Sequence, residues 1–98
     1  MHLYLLDITF KESLSEDFLL LIHKQRVKIN ELISKGKIIS YSLAEDRSKL
    51  WVVMLCNKEL EVSEIVNSFP LREYMDFEIY KLAFSQNSIS KMIPLSLN

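Results

Sequence analysis

Two carboxylates interrupt otherwise apolar strand-like segments: Asp7 falls within Leu3-Tyr4-Leu5-Leu6-Asp7-Ile8-Thr9-Phe10, and Glu78 within Phe77-Glu78-Ile79-Tyr80. An acid set among apolar neighbours either pairs with a lysine, lines a wet pocket edge, or has its pKa displaced for general acid/base work. Gln25 lies inside an apolar helical stripe, where a buried amide must find partners in the core or face a pocket. Next to it, Arg26 and His23 suit a carboxylate ligand, through the bidentate guanidinium fork and an imidazole that titrates near neutral pH. Tyr74 reads as a turn anchor with a satisfied hydroxyl, or as a proton donor.

Other chemistries are less favoured. His2 and His23 are 21 residues apart, with no Cys or carboxylate at ligand spacing, so no metal motif is formed. The single cysteine, Cys56, excludes an internal disulfide and reads as a small buried hydrophobe among Trp51, Val52, Val53, Met54 and Leu55. Trp51, Met54 and Phe77 are expected in the core.

The 98 residues, 49% apolar and 26% charged, fit one domain. A net charge of −1, from 12 basic and 13 acidic residues mixed along the chain, leaves no basic face for nucleic acid. Neither a cationic leader nor an apolar run of about 20 residues occurs, so the expectation is a cytoplasmic protein with no membrane partner.

The elements that must position these residues follow from periodicity. His2 to Phe10 suits a strand. Ser13-Leu14-Ser15-Glu16 reads as a capping box, with Ser13 the cap of a helix running to about Lys35 and closing at Gly36. Its core stripe is Leu14, Phe18, Leu21, Ile22, Ile29, Leu32 and Ile33, while Leu20 and Val27 share the solvated side. They are either scattered surface apolars or a further subunit contact. Lys37 to Glu45 and Lys49 to Asn57 read as strands joined by Asp46-Arg47-Ser48. Asn57 is the expected cap of a second helix that buries Val62, Ile65, Val66 and Phe69 and turns Glu61 and Glu64 outward. Pro70 lacks an N–H and disfavours helix at the preceding residue, so the chain stops, turns and enters a last strand, Asp76 to Phe84.

Strand, helix, strand, strand, helix, strand is the α+β ferredoxin-like βαββαβ order, with a four-stranded antiparallel sheet and both helices on one face. The other face carries apolar residues from strands one, three and four, more than a monomer exposes comfortably. A second copy is the expected cover, giving a dimeric α/β barrel and at least a homodimer. Domain 1–84 holds this fold, and the serine-rich tail 85–98, with Ile89, Met92, Ile93, Leu95 and Leu97, either frays or docks on a neighbouring subunit.

The segment Phe69-Pro70-Leu71-Arg72-Glu73-Tyr74-Met75-Asp76-Phe77-Glu78-Ile79 resembles the muconolactone δ-isomerase family, whose members carry Leu-Pro-Leu, Tyr-Met and Ile-Glu-Val at this spacing. Gln86-Asn87-Ser88-Ile89 is similar to the Pro-Ser-Ser-Ile that follows their last strand. The resemblance implies a dimeric α/β barrel, assembled further in the isomerase, with a subunit-boundary pocket for a small organic, lactone-like molecule. It also implies a double-bond shift by proton transfer without cofactor or metal. The positions that match the family are Thr9, Tyr74 and Glu78; joined with residues singled out by their own chemistry, the candidate set is Glu78, Asp7 and Tyr74 as catalytic, with Thr9, His23, Gln25 and Arg26 binding substrate. Two positions depart from the pattern: Asp7 stands where the isomerases carry lysine, and His23-Lys24-Gln25-Arg26 where they are acid-rich. The alternative is a non-catalytic ligand-binding or assembly protein on the same scaffold.

Overall fold

The computed structural model describes residues 1–11 and 15–83. The element order is β1 (His2–Phe10), α1 (Glu16–Ser34), β2 (Ile38–Leu43), β3 (Lys49–Cys56), α2 (Glu59–Asn67), a short 3-10 turn (Arg72–Tyr74) and β4 (Met75–Lys81). The strands form one antiparallel sheet in the order β2-β3-β1-β4, an α+β arrangement compatible with the ferredoxin-like fold. Expected features in Ser13, Leu14, Phe84 and the tail 85–98 lie outside the described residues.

Helix α1 starts later than the capping-box reading. Ser15, not Ser13, is the cap: its Oγ accepts the Phe18 N–H at 3.1 Å, and Glu16 and Asp17 place negative charge at the positive end of the helix. The far end closes as expected. Gly36 has φ +76°, its N–H reaches the Ile33 carbonyl at 3.0 Å, and the Lys37 N–H reaches Leu32 at 3.0 Å. These are the two bonds of a Schellman cap, which glycine enters without a Cβ clash.

Helix α2 also departs from its expected start. Asn57 does not cap it; the Glu61 carboxylate reaches back to accept the Asn57 N–H at 2.9 Å and pairs with Lys37, so Glu61 is drawn in rather than turned outward. The Lys37 amine is raised above its ordinary pKa, chiefly by its hydrogen bond to Glu61, and Glu61 is lowered chiefly by the same bond.

Both helices cover the face carrying Tyr4, Leu6 and Ile8 of β1, Leu50, Val52, Met54 and Cys56 of β3, and Met75 of β4. Phe18, Ile29 and Leu32 of α1 and Val62 and Val66 of α2 complete this core. Ile33, expected in the stripe, is 47% exposed, while its neighbour Leu32 in the same turn is buried. Leu20 and Val27 are exposed, as the sequence placed them. Cys56 is fully buried, and burial pushes its thiol pKa up, away from the reactive thiolate.

After α2 the chain turns through Phe69, Pro70 and Leu71. Phe69 and Leu71 are buried on either side of the proline, and the Arg72 and Tyr74 N–H groups bond back to Phe69 and Leu71 at 3.0 and 2.9 Å. Arg72 then ties the turn to β4: one guanidinium nitrogen donates to the Met75 carbonyl at 2.9 Å, and the group lies 4.7 Å over the Phe77 ring.

Candidate functional site

The strand register sorts the candidate residues before any cavity is considered, since successive side chains alternate between faces. On β1, Leu3, Leu5, Asp7 and Thr9 point away from the helices. The rows across that open face are Leu3 with Leu55, Leu5 with Val53, Tyr80 and, through Val53, Ser40, then Asp7 with Trp51 and Glu78, and Thr9 with Lys49 and Asp76. The open face is therefore apolar at one end and charged at the other. Edge strand β2 gives it Ser40 and Ser42, so the apolar patch is narrower than four apolar strands would make it. Trp51, expected in the core, stands on this face 39% exposed.

At the charged end, Asp7, Thr9, Lys49, Asp76, Phe77 and Glu78 line a small depression of about 130 Å³. Lys49 Nζ lies 2.7 Å from Asp7 Oδ1 and donates to Thr9 Oγ1 at 2.9 Å. Tyr80 donates its hydroxyl to Glu78, which raises the phenol pKa, with the Glu78 charge adding to the effect. Lys11 sits 3.4 Å from Asp76. Each carboxylate here thus has a donor or cation beside it. Asp7 Oδ1 is itself buried and has the Lys49 ion pair but no formed hydrogen bond.

A more apolar cavity is on the other side of the sheet. It measures about 530 Å³ and is lined by Phe10, by Phe18, Leu19, Ile22 and Arg26 of α1, by Tyr41 and Leu43 of β2, by Asp46 and Arg47 of the hairpin, by Leu50 and by Leu71. A volume of about 300–1,000 Å³, an apolar lining and a few polar groups are typical of small-molecule sites. The charged groups are Arg26, Arg47 and Asp46. Arg47 is held in place by a tight turn: its N–H bonds to the Ala44 carbonyl at 2.9 Å and its φ is +66°, an uncommon value for a side-chained residue. Asp46 accepts from the Ser48 hydroxyl and N–H at 2.6 and 3.0 Å, which lowers its carboxyl pKa and makes it a poor base.

Beside this cavity, Gln25 is 3% exposed and accepts the Leu71 N–H through Oε1 at 3.1 Å, while its buried Nε2 forms no hydrogen bond. Burial raises the Tyr41 phenol pKa, and the Gln25 amide offsets part of that rise. Tyr74 packs edge-on to Phe18, ring centroids 5.2 Å apart, and Phe18 packs edge-on to Phe10 at 5.6 Å. The Tyr74 backbone bonds to Lys11 and Leu71, so the residue anchors the turn. His23 is exposed and lines neither hollow.

The seven residues singled out from sequence are thus divided. Asp7, Thr9 and Glu78 share the open face, whereas Gln25, Arg26 and Tyr74 belong to the helix side, and the sheet separates the two groups. They do not converge on one cavity within a protomer. Tyr41, Leu43 and Arg47 are the lining residues that sequence reasoning passed over. The signal available for them was parity: Tyr41 and Leu43 share a β2 face with Ile38 only after the irregular step between Ile38 and Ser40 is counted. Among the described residues no helix is long and apolar enough to cross a membrane, and no group of three or more His, Cys, Asp or Glu is arranged to hold a metal ion. No protein-family model matches the chain, and no curated protein matches it.

Proposed function

We propose that this protein binds a compact, anionic organic molecule in the cavity between α1 and the β2–β3 hairpin, as a homodimer of the α/β-barrel type. The carrying observation is the cavity of about 530 Å³, apolar within and bearing Arg26 and Arg47 among its lining residues. Two guanidiniums against one carboxylate already engaged by Ser48 favour a ligand with a carboxylate at one end and an apolar body. The dimer rests on the open face, where Leu3, Leu5, Val53 and Leu55 adjoin half-exposed Trp51 and Tyr80. A matching face on a second copy would bury on the order of 1,600 Å² or more.

The second reading is a muconolactone δ-isomerase-like enzyme moving a lactone double bond by cofactor-free proton transfer. The Pro70-to-Ile79 segment favours it, as do Thr9, Tyr74 and Glu78 at the family positions. In this reading Glu78 and Asp7 act from the open face, completed by the partner subunit, with Tyr74, Thr9, His23, Gln25 and Arg26 as donors and binding groups. The placement of Asp7 and Glu78 across the sheet from the apolar cavity supports binding over catalysis.

Incubating the protein with muconolactone and related lactone carboxylates, while recording calorimetric binding and product formation, separates the readings. Saturable binding that weakens in Arg26→Ala, without turnover, supports the binding protein. Turnover lost in Glu78→Gln supports the isomerase. Absence of both overturns the two together.

A further inference from the structure

The chain has three arginines, in two kinds of setting. Arg72 belongs to the fold: it donates to Asn67 Oδ1 at 2.8 Å and to the Met75 carbonyl at 2.9 Å, and lies over the Phe77 ring. Arg26 and Arg47 line the apolar cavity, and among the described residues neither guanidinium has an ion pair or a hydrogen bond to the protein. Asp46, the one carboxylate on that lining, is held by the Ser48 hydroxyl and N–H at 2.6 and 3.0 Å and pairs with neither cation. Arg47 also sits at φ +66°, a conformation that glycine or asparagine adopts with less strain. Strain of this kind gathers at ligand clamps, where the side chain presented matters more than the ease of the turn.

The two cations belong to opposite ends of the cavity. The hairpin end is fixed by the Phe10 N–H, which bonds to the Ser48 carbonyl at 3.0 Å, and by the Phe10 ring, which meets Phe18 in the first turn of α1 with centroids 5.6 Å apart. Arg47, next to Ser48, is at this end. From Phe18 the helix runs away from the hairpin toward its own closure at Gly36, and Arg26 lies eight residues farther on, about 12 Å along the axis. Between them the lining is apolar, with Phe18, Ile22, Leu50 and Leu71 below. We propose that the ligand carries a second anionic group at the opposite end of its apolar body, Arg47 holding the group at the hairpin and Arg26 the group farther along α1. The class is a compact dicarboxylate, not a monocarboxylate gripped by both arginines. Each guanidinium offers one carboxylate a bidentate fork, and the apolar lining covers the hydrocarbon between them. This deepens the reading of the cavity as a ligand site and rests on it.

The test is calorimetric titration of the full chain with benzene-1,4-dicarboxylate and with benzoate, which share a rigid ring and differ by one carboxylate. It is made in about 0.15 M salt, which screens long-range attraction of the second charge. The dicarboxylate is expected to bind about fivefold or more tightly than benzoate. Arg47→Asn suits the left-handed backbone and Arg26→Gln changes an exposed helix position, so both variants keep the fold. Each is expected to bring the dicarboxylate down to the affinity that benzoate has for the wild type. Two arginines on one carboxylate would instead leave benzoate bound as tightly as the dicarboxylate, and weakened in both variants. Benzoate binding without preference for the dicarboxylate, or a preference that survives in either variant, overturns the two-ended ligand and leaves the cavity reading standing. Failure of both probes to bind the wild type overturns the two together.

Discussion

The two faces of the sheet come from the same strands, and residues one apart in sequence have different fates. Leu6 is sealed beneath the helices with no accessible surface, whereas Leu5, its neighbour, is only half-buried on the open side. The covered face is closed at its centre by Leu6, Ile8, Val52 and Met54 and opens into a cavity only toward β2. The open face carries a small charged hollow of about 130 Å³ and, beside the hairpin, a wide trough of about 540 Å³ that Lys49 and Trp51 share with Glu45, Asp46 and Ser48. The difference teaches that apolar sequence alone marks a buried strand without saying what buries it. On one side the chain supplies its own cover, and on the other it leaves the apolar residues open, which is the ground for the proposed dimer.

The largest effect expected from breaking this contrast comes from the sealed side. Leu6→Ala removes a fully buried side chain and is expected to lower unfolding stability by about 2–5 kcal/mol in urea denaturation at any protein concentration. Leu5→Ala is expected to act differently, with a smaller loss that grows as protein is concentrated, because it weakens association. Next in size, Leu5→Lys with Val53→Lys puts charges into the proposed interface. Sedimentation is expected to show a dimer converted to a folded monomer with an unchanged far-ultraviolet spectrum; a monomeric wild type at micromolar concentration would overturn the dimer.

On the helix that roofs the cavity, Ser15→Ala removes the acceptor for the Phe18 N–H and is expected to lower stability by about 1 kcal/mol. Because Phe18 lines the cavity, the same change is expected to weaken ligand binding, whereas a substitution at exposed Leu20 leaves binding unaltered.

The smallest effect concerns the Lys37–Glu61 pair. Glu61 has its pKa lowered on folding, so its contribution is present above the unfolded carboxyl pKa and fades as pH falls through the folded value. Lys37 has its pKa raised, so its contribution is complete below the unfolded amine pKa and fades as pH rises through the folded one. Glu61→Gln is therefore expected to lower the melting temperature slightly at neutral pH, where the pair contributes, to leave the acid end little changed, and so to flatten the acid limb of the profile. An acid limb identical to that of the wild type would show that the pair adds nothing measurable.

Strong local signals made much of the fold legible. The β1 span, the Gly36 closure of α1 and the break around Pro70 each rest on chemistry within a few residues, and all three are present in the structure. Positions decided by distant partners were read less well. Asn57 looked like a cap until Glu61 supplied the acceptor, and Trp51 looked like core because its strand is apolar on both parities. The site was legible in part: Gln25 and Arg26 do belong to the cavity region, since polar residues in or beside an apolar helix stripe mark a place where the core gives way. Tyr41 and Arg47 were hidden because one follows an irregular step in β2 and the other sits in what reads as an ordinary polar turn.

That irregular step between Ile38 and Ser40 also governs how copies of this molecule can meet. It interrupts the even spacing of free N–H and C=O groups along the outermost strand, and Ile39, 53% exposed, stands beside the break. A straight incoming strand cannot zip onto such a margin without skipping a rung, so lateral, fibre-like growth from that side is frustrated. The break thus disfavours open-ended growth along the sheet edge and leaves the flat face free for the closed pairing proposed above.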